Sequence, residues 1–139
     1  MKIHHIGYLV KNIEKSAAAF EAAGYERILY ADGSFVFDDK TRQCDISFMR
    51  MNGGSESDCI ELVAPQSPDC PIYGLMKQYK NSPYHICFES ENLEEDTARL
   101  KQKGWSVFLP SAPAPAIDGR NVVFLIHRSA GIIEIVDKG

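Results

Sequence analysis

The 139-residue chain is 45% hydrophobic and 24% charged, enough apolar material for one globular domain that folds without staples. Its formal net charge of −4 excludes a general nucleic-acid or anionic-membrane binder, which needs a concentrated basic surface, and makes a small molecule the expected partner. The opening MKIHHIGYLVKNIEK lacks a long apolar core, no apolar run reaches membrane-spanning length, and Cys44, Cys59, Cys70 and Cys87 show no paired spacing; a cytoplasmic protein with free thiols is expected.

The first element is a strand with two unlike faces, Ile6, Tyr8 and Val10 on one and His5 and Gly7 on the other. Asn12 then reads as an N-cap, Ile13, Ala17 and Phe20 form one apolar helical stripe, and Gly24 sits where a left-handed residue would end the helix. CDISFMRM and SDCIELVAP follow as strands around the hairpin loop MNGGSES, and positions 66–82 read as a linker with a short helix. At Tyr84 the pattern starts again: YHICFESENLEEDTARLKQKGW lies over HHIGYLVKNIEKSAAAFEAAGY at an offset of 80 without a gap. His85 falls on His5, Asn92 on Asn12 and Gly104 on Gly24, with Glu95 placed to complete a capping box. Pro110, Pro113 and Pro115 mark a stiff loop before Asp118, NVVFLIHR reads as a strand, and SAGIIEIVD repeats SDCIELVAP with Glu134 over Glu61 at an offset of 73. The shorter offset assigns extra residues in the first copy to the MNGGSES hairpin. The expected architecture is α+β: one domain over 1–139 made of two tandem βαβββ modules, 1–65 and 83–139, joined by a linker over 66–82.

On each strand the His or Glu occupies the face opposite the bulky apolar set, and each Glu is flanked by Ile, Leu or Val. A carboxylate in such a strand is costly to bury unless something pairs with it, and no Lys or Arg holds a matching place in both copies. Two imidazoles and two carboxylates, His5, Glu61, His85 and Glu134, suit a borderline divalent ion, nickel or cobalt first, with zinc, manganese and iron compatible. Taken singly, each of these residues reads as readily as a structural histidine or a strand carboxylate on a wet face; the repeat is what joins them. Gly7 and Cys87 leave room beside the histidines for a ligand, unlike a closed structural metal plug. His4 and His127 break the repeat and read as surface residues.

HHIGYLV, IELVAP, SPYHICFES and GIIEIV together resemble the landmarks of the vicinal oxygen chelate superfamily, which includes glyoxalase, bleomycin-resistance and dioxygenase proteins. The resemblance covers nearly the whole chain. It implies paired βαβββ modules forming an eight-stranded cup, a divalent metal held by His5, Glu61, His85 and Glu134, and a homodimer. Within the superfamily the residues resemble two proton-transfer branches: glyoxalase I first, isomerising the hemithioacetal of a 2-oxoaldehyde and a thiol, with methylmalonyl-CoA epimerase as the alternative. A ring-cleaving dioxygenase and a metal-free binding protein fit less well. Some epimerases carry a second acid near the position of Ile46, where this chain offers only Asp45, expected on the other face. Glu134 is the expected base with Glu61 as its counterpart, and Arg120, Lys77 and Lys80 are candidates for contacting an anionic thiol or CoA.

Overall fold

The computed structural model describes residues 1–54 and 58–139. They divide into two compact units, His5–Tyr84 and Met1–His4 with His85–Gly139. The first follows the βαβββ order: β1 (Lys2–Leu9), α1 (Ile13–Ala22), β2 (Tyr25–Ile28), a short β3 (Phe37–Asp39), β4 (Cys44–Met51) and β5 (Cys59–Pro65). After α2 (Met76–Tyr79), the second repeats it with β6 (Ser82–Ser90), α3 (Leu93–Lys101), β7 (Ser106–Ala114), β8 (Arg120–His127) and β9 (Gly131–Asp137). No helix among the described residues is long and apolar enough to cross a membrane.

Each unit has a mixed sheet, ordered β2-β4-β5-β1 in the first, with β3 also on β4, and β6-β9-β8-β7 in the second. The parallel pairs are β1 with β5 and β6 with β9; the other pairs are antiparallel. In the first unit α1 covers one sheet face: Ile13 and Ala17 are buried with Met49, Ile60, Leu62 and Phe35, and Ile6, Tyr8 and Phe20 pack against them. This is the apolar parity read from the strands, and it leaves His5 and Glu61 for the opposite face. In the second unit Val123, Leu125 and Ile135 are buried beneath Leu93, Leu100 and Trp105. There α3 buries no residue completely, and a groove of about 520 Å³ runs beside it, lined by Leu93, Thr97, Ala98 and Val123 among others.

Both caps form, each in its own way. Asn12 Oδ1 accepts from Lys15 N at 2.9 Å and Asn92 Oδ1 from Glu95 N at 3.1 Å. The reciprocal arm of the expected box differs: the Glu95 carboxylate accepts from the Asn92 side-chain amide, because the Asn92 backbone N–H already donates to Ser90 Oγ at 3.0 Å. Gly24 and Gly104 adopt φ of +107° and +97°, a region that side chains with a Cβ avoid.

Two expectations about the loops change. Pro110 and Pro113 lie within strand β7, whose only neighbour among the described residues is β8 and whose register shifts twice; an edge strand can absorb a residue without an N–H, so the prolines do not force a loop. Pro115 alone starts a non-strand turn, a single 3-10 turn over Pro115–Ile117. The extra residues of the first copy are not all in the MNGGSES hairpin, part of which (55–57) lies outside the described residues. Phe48 stands opposite Glu61 and Phe124 opposite Glu134, an offset of 76 that puts four extra residues between β2 and β4, in the stretch holding β3, and only three in the hairpin.

Candidate metal centre

Each unit builds a His–Glu pair by the same register. In the first, β1 and β5 run parallel with Gly7 opposite Glu61, so the carboxylate rises beside the imidazole of His5, two residues earlier on the same face. His5 Nε2 lies 3.4 Å from Glu61 Oε1. In the second, Cys87 stands opposite Glu134, and His85 Nε2 lies 2.9 Å from Glu134 Oε2. The four residues are buried, from fully for His5 to 7% exposed for Glu61. Carboxylates so placed need partners, since stripping one of water without compensation costs several kcal/mol, on the order of that measured for broken buried ion pairs.

An aromatic ring braces each imidazole. Phe48 meets His5 edge-on with ring centres 5.5 Å apart, and Phe124 meets His85 at 5.3 Å, with interplanar angles of 80° and 81°. Locked rotamers of this kind preorganise a ligand ring before anything binds. Phe48 and Phe124 were missed in the sequence, although the signal is there: setting CDISF over RNVVF aligns the phenylalanines and gives the register offset of 76 directly.

Cys59, on β5 two residues before Glu61, has its thiol pushed up to about 11, chiefly by burial and further by the Glu61 carboxylate, with His5 and Arg50 opposing. It stays a neutral thiol at neutral pH, and the buried His–Glu pair offers one nitrogen and one oxygen donor. The same donor chemistry recurs in the second unit.

Other candidates fall elsewhere. Arg120 shares the Phe124 face of β8, but its guanidinium is occupied: it donates to Glu89 Oε2 at 2.7 Å and to the Asp137 carbonyl, and lies 3.3 Å from His4 Nε2. The Arg120 hydrogen bond holds the Glu89 carboxyl below its ordinary range, with Lys2 adding to the effect. Arg120 is therefore an internal tie and is not free for a substrate anion. Lys77 and Lys80 are exposed on and after α2. His4 and His127 are half-buried, and both have contacts: His127 lies on Trp105 with ring centres 5.2 Å apart, and its Nδ1 accepts from Ser129 N at 3.0 Å. Asp45 is turned from the His and Glu face as alternation requires and accepts from Gln66 Nε2 at 2.9 Å.

Residues 2–124 match the sequence profile of the Glyoxalase/Bleomycin resistance protein/Dioxygenase superfamily. The chain belongs to that superfamily. Among superfamily members it is 26% identical over 125 residues to an ethylmalonyl-CoA/methylmalonyl-CoA epimerase of Cereibacter sphaeroides, covering 89% of this chain and 87% of the relative. It is 29% identical over 132 residues to the mitochondrial methylmalonyl-CoA epimerase of Bos taurus, covering 94% and 69%. The crystal structure of methylmalonyl-CoA epimerase from Mycobacterium tuberculosis has the same fold, with a TM-score of 0.77 at 15% identity over 99% of this chain and 88% of that one.

Proposed function

We propose that the protein is a divalent-metal-dependent epimerase that inverts the carbon between a thioester carbonyl and a second carboxyl, with a methylmalonyl-CoA-like acyl-CoA as substrate. The observation that carries this reading is the twin His–Glu pair, built twice by one register and buried both times. His5, Glu61, His85 and Glu134 would together hold one ion; two nitrogen and two oxygen donors suit nickel or cobalt, with zinc, manganese and iron compatible. A bound divalent ion would supply Lewis acidity to the carbonyl oxygen beside the carbon that loses its proton.

The chain's own part follows from its duplicated carboxylates. Inverting a carbon requires a proton to leave one face of a planar enolate and another to arrive on the opposite face, which calls for two acid–base groups. Glu134 takes the proton and Glu61, in its protonated form, returns one from the other side. His5 and His85, braced by Phe48 and Phe124, keep the carboxylates in place. A hemithioacetal isomerase, the first expectation from sequence, shares the proton transfer but does not need inversion, and the similar curated proteins are both epimerases. The family also leads us to propose a homodimer.

The test is metal content together with substrate choice. Protein purified without chelator should carry about one divalent ion per chain, and with it should exchange the methylmalonyl-CoA proton for solvent deuterium and racemise the thioester. Turnover of the methylglyoxal–thiol adduct alone would move the assignment to the glyoxalase branch. No metal uptake, even with added nickel or cobalt, would end the metal reading.

A further inference from the structure

The internal repeat shows what one unit holds at a place the other leaves open. In the first unit the Phe35 ring is buried with Ile13 and Ala17 of α1. The Arg27 guanidinium lies over that ring, 4.6 Å from its centre, and donates to Glu14 Oε2 at 2.8 Å and to Glu21 Oε1 at 3.1 Å. An aromatic ring, a cation on its face and a carboxylate that fixes the cation thus occupy the helix side of this sheet.

The second unit keeps the frame and, among the described residues, lacks the filling. The offset of 80 sets Leu93 over Ile13, Glu94 over Glu14 and Thr97 over Ala17, but it sets Val107 over Arg27. Strand register agrees, with Arg27 opposite Met49 and Val107 opposite Leu125. Nor does β7 make the excursion that carries Phe35. What remains is the groove of about 520 Å³ beside α3, whose lining includes Leu93, Glu94, Thr97, Lys101, Val123 and Asp137. It lies on the helix side of the sheet, since Val123 adjoins Phe124 on β8 and faces the other way. Thr97 Oγ1 donates to the Leu93 carbonyl at 2.6 Å, so its hydroxyl is taken up by its own helix.

We propose that this groove is a binding site for a small arylalkylammonium, a molecule with one aromatic ring and one protonated amine. Its ring takes the place that Phe35 holds in the first unit, and its ammonium takes the place of Arg27, against Glu94. Charge favours a cation. Asp137 stands where the first unit has the buried, apolar Ala64. Two carboxylates therefore line the groove against one ammonium, that of Lys101, seven residues and so about two helical turns from Glu94. Asn121 Nδ2 donates to Asp137 Oδ2 at 3.0 Å and steadies that carboxylate, while Arg120 Nε stays 3.9 Å from Oδ1, beyond hydrogen-bond reach.

Phenethylammonium titrated into the isotope-labelled full chain should shift the amide signals of α3 and of Val123 saturably, with a Kd on the order of 1 mM. Phenylacetate, with the same ring and the opposite charge, should bind about tenfold more weakly. Butylammonium, which lacks the ring, should not saturate over the same range. Glu94→Gln should weaken phenethylammonium about threefold, the size expected of an exposed ion pair, and leave benzyl alcohol unchanged. Val107→Arg should weaken it as well, because the new guanidinium rebuilds the Arg27–Glu14 pair on Glu94. Both positions are exposed, so neither change threatens the fold. No saturable shift along α3, phenylacetate binding as tightly as phenethylammonium, or a Glu94→Gln affinity equal to that of the wild type would each overturn the proposal.

Discussion

The two units agree on one face of their sheets and differ on the other. On the polar face the copies match at three places: His5 and His85, Glu61 and Glu134, Phe48 and Phe124 hold equivalent registers. On the helix side, Ile13, Ala17 and Ser47 enclose Phe35, whose carbonyl accepts from Ser47 Oγ at 2.9 Å. Their counterparts Leu93, Thr97 and Val123 line the groove beside α3. Extra residues between β2 and β3 deliver Phe35 in the first unit, whereas β7 runs through the equivalent registers without such an excursion. A buried His–Glu pair constrains register on one face of each sheet; apolar packing on the other tolerates different fillings so long as enough surface is buried.

The equivalence of the polar faces is broken most sharply at the carboxylates. Glu134→Gln keeps size and one oxygen donor but cannot accept a proton, so turnover and deuterium exchange should fall by between about a hundredfold and ten-thousandfold with metal partly retained. Glu61→Gln should spare deuterium exchange more than Glu134→Gln does while blocking inversion, because it removes the group that returns a proton on the opposite face. Metal stoichiometry and exchange measured side by side decide it, and the reverse ranking would swap the two roles.

The difference in packing predicts unequal stability losses. Phe35→Ala should cost about 3–5 kcal/mol in denaturant unfolding, the range for a buried aromatic. Leu100→Ala in the second unit should cost roughly 1–2 kcal/mol, because a half-exposed side chain forfeits only part of its transfer free energy. Equal losses would mean that the groove beside α3 is no real relaxation of packing.

Helix starts should respond alike. Asn12→Ala and Asn92→Ala each remove one side-chain acceptor from a first-turn N–H and should each cost about 1 kcal/mol. Asn92 should cost slightly more, since its amide also holds Glu95.

The smallest effect concerns a place where the units differ in charge. Glu89 and Arg120 occupy the positions that Leu9 and Cys44 hold in the first copy. The Glu89 carboxyl is lowered from an ordinary value of 4.5, mainly by its Arg120 hydrogen bond. Its stabilising effect is present above about 4.5 and is lost as pH falls through the lower folded value. Melting temperatures followed from pH 6 to pH 3 should therefore drop less steeply in Glu89→Gln than in the wild type.

Much of this could be read from residues alone, because the repeat carries its own check. An offset of 80 locates two strands, two caps and two helix-ending glycines at once, and alternation assigns the faces. What stayed hidden depends on contacts distant in sequence. No local pattern announces that Ser67 folds back onto Gln43, that extra residues between β2 and β3 carry Phe35, or that Arg120 is tied to Glu89. The prolines of β7 misled for a different reason: proline forbids a donor, not a strand, and only the position of β7 at a sheet edge shows that the donor is not needed.

Those prolines also have a consequence for how copies of the chain behave when crowded. A bare strand edge is a template on which another molecule can lay its own strand and begin a growing stack. Along β7 the missing N–H groups at Pro110 and Pro113 and the two register shifts interrupt that template at short intervals, so an incoming strand finds no continuous run of partners. The irregular rim thus guards against runaway polymerisation, and straightening it by replacing both prolines would be expected to show first in the solubility of the protein.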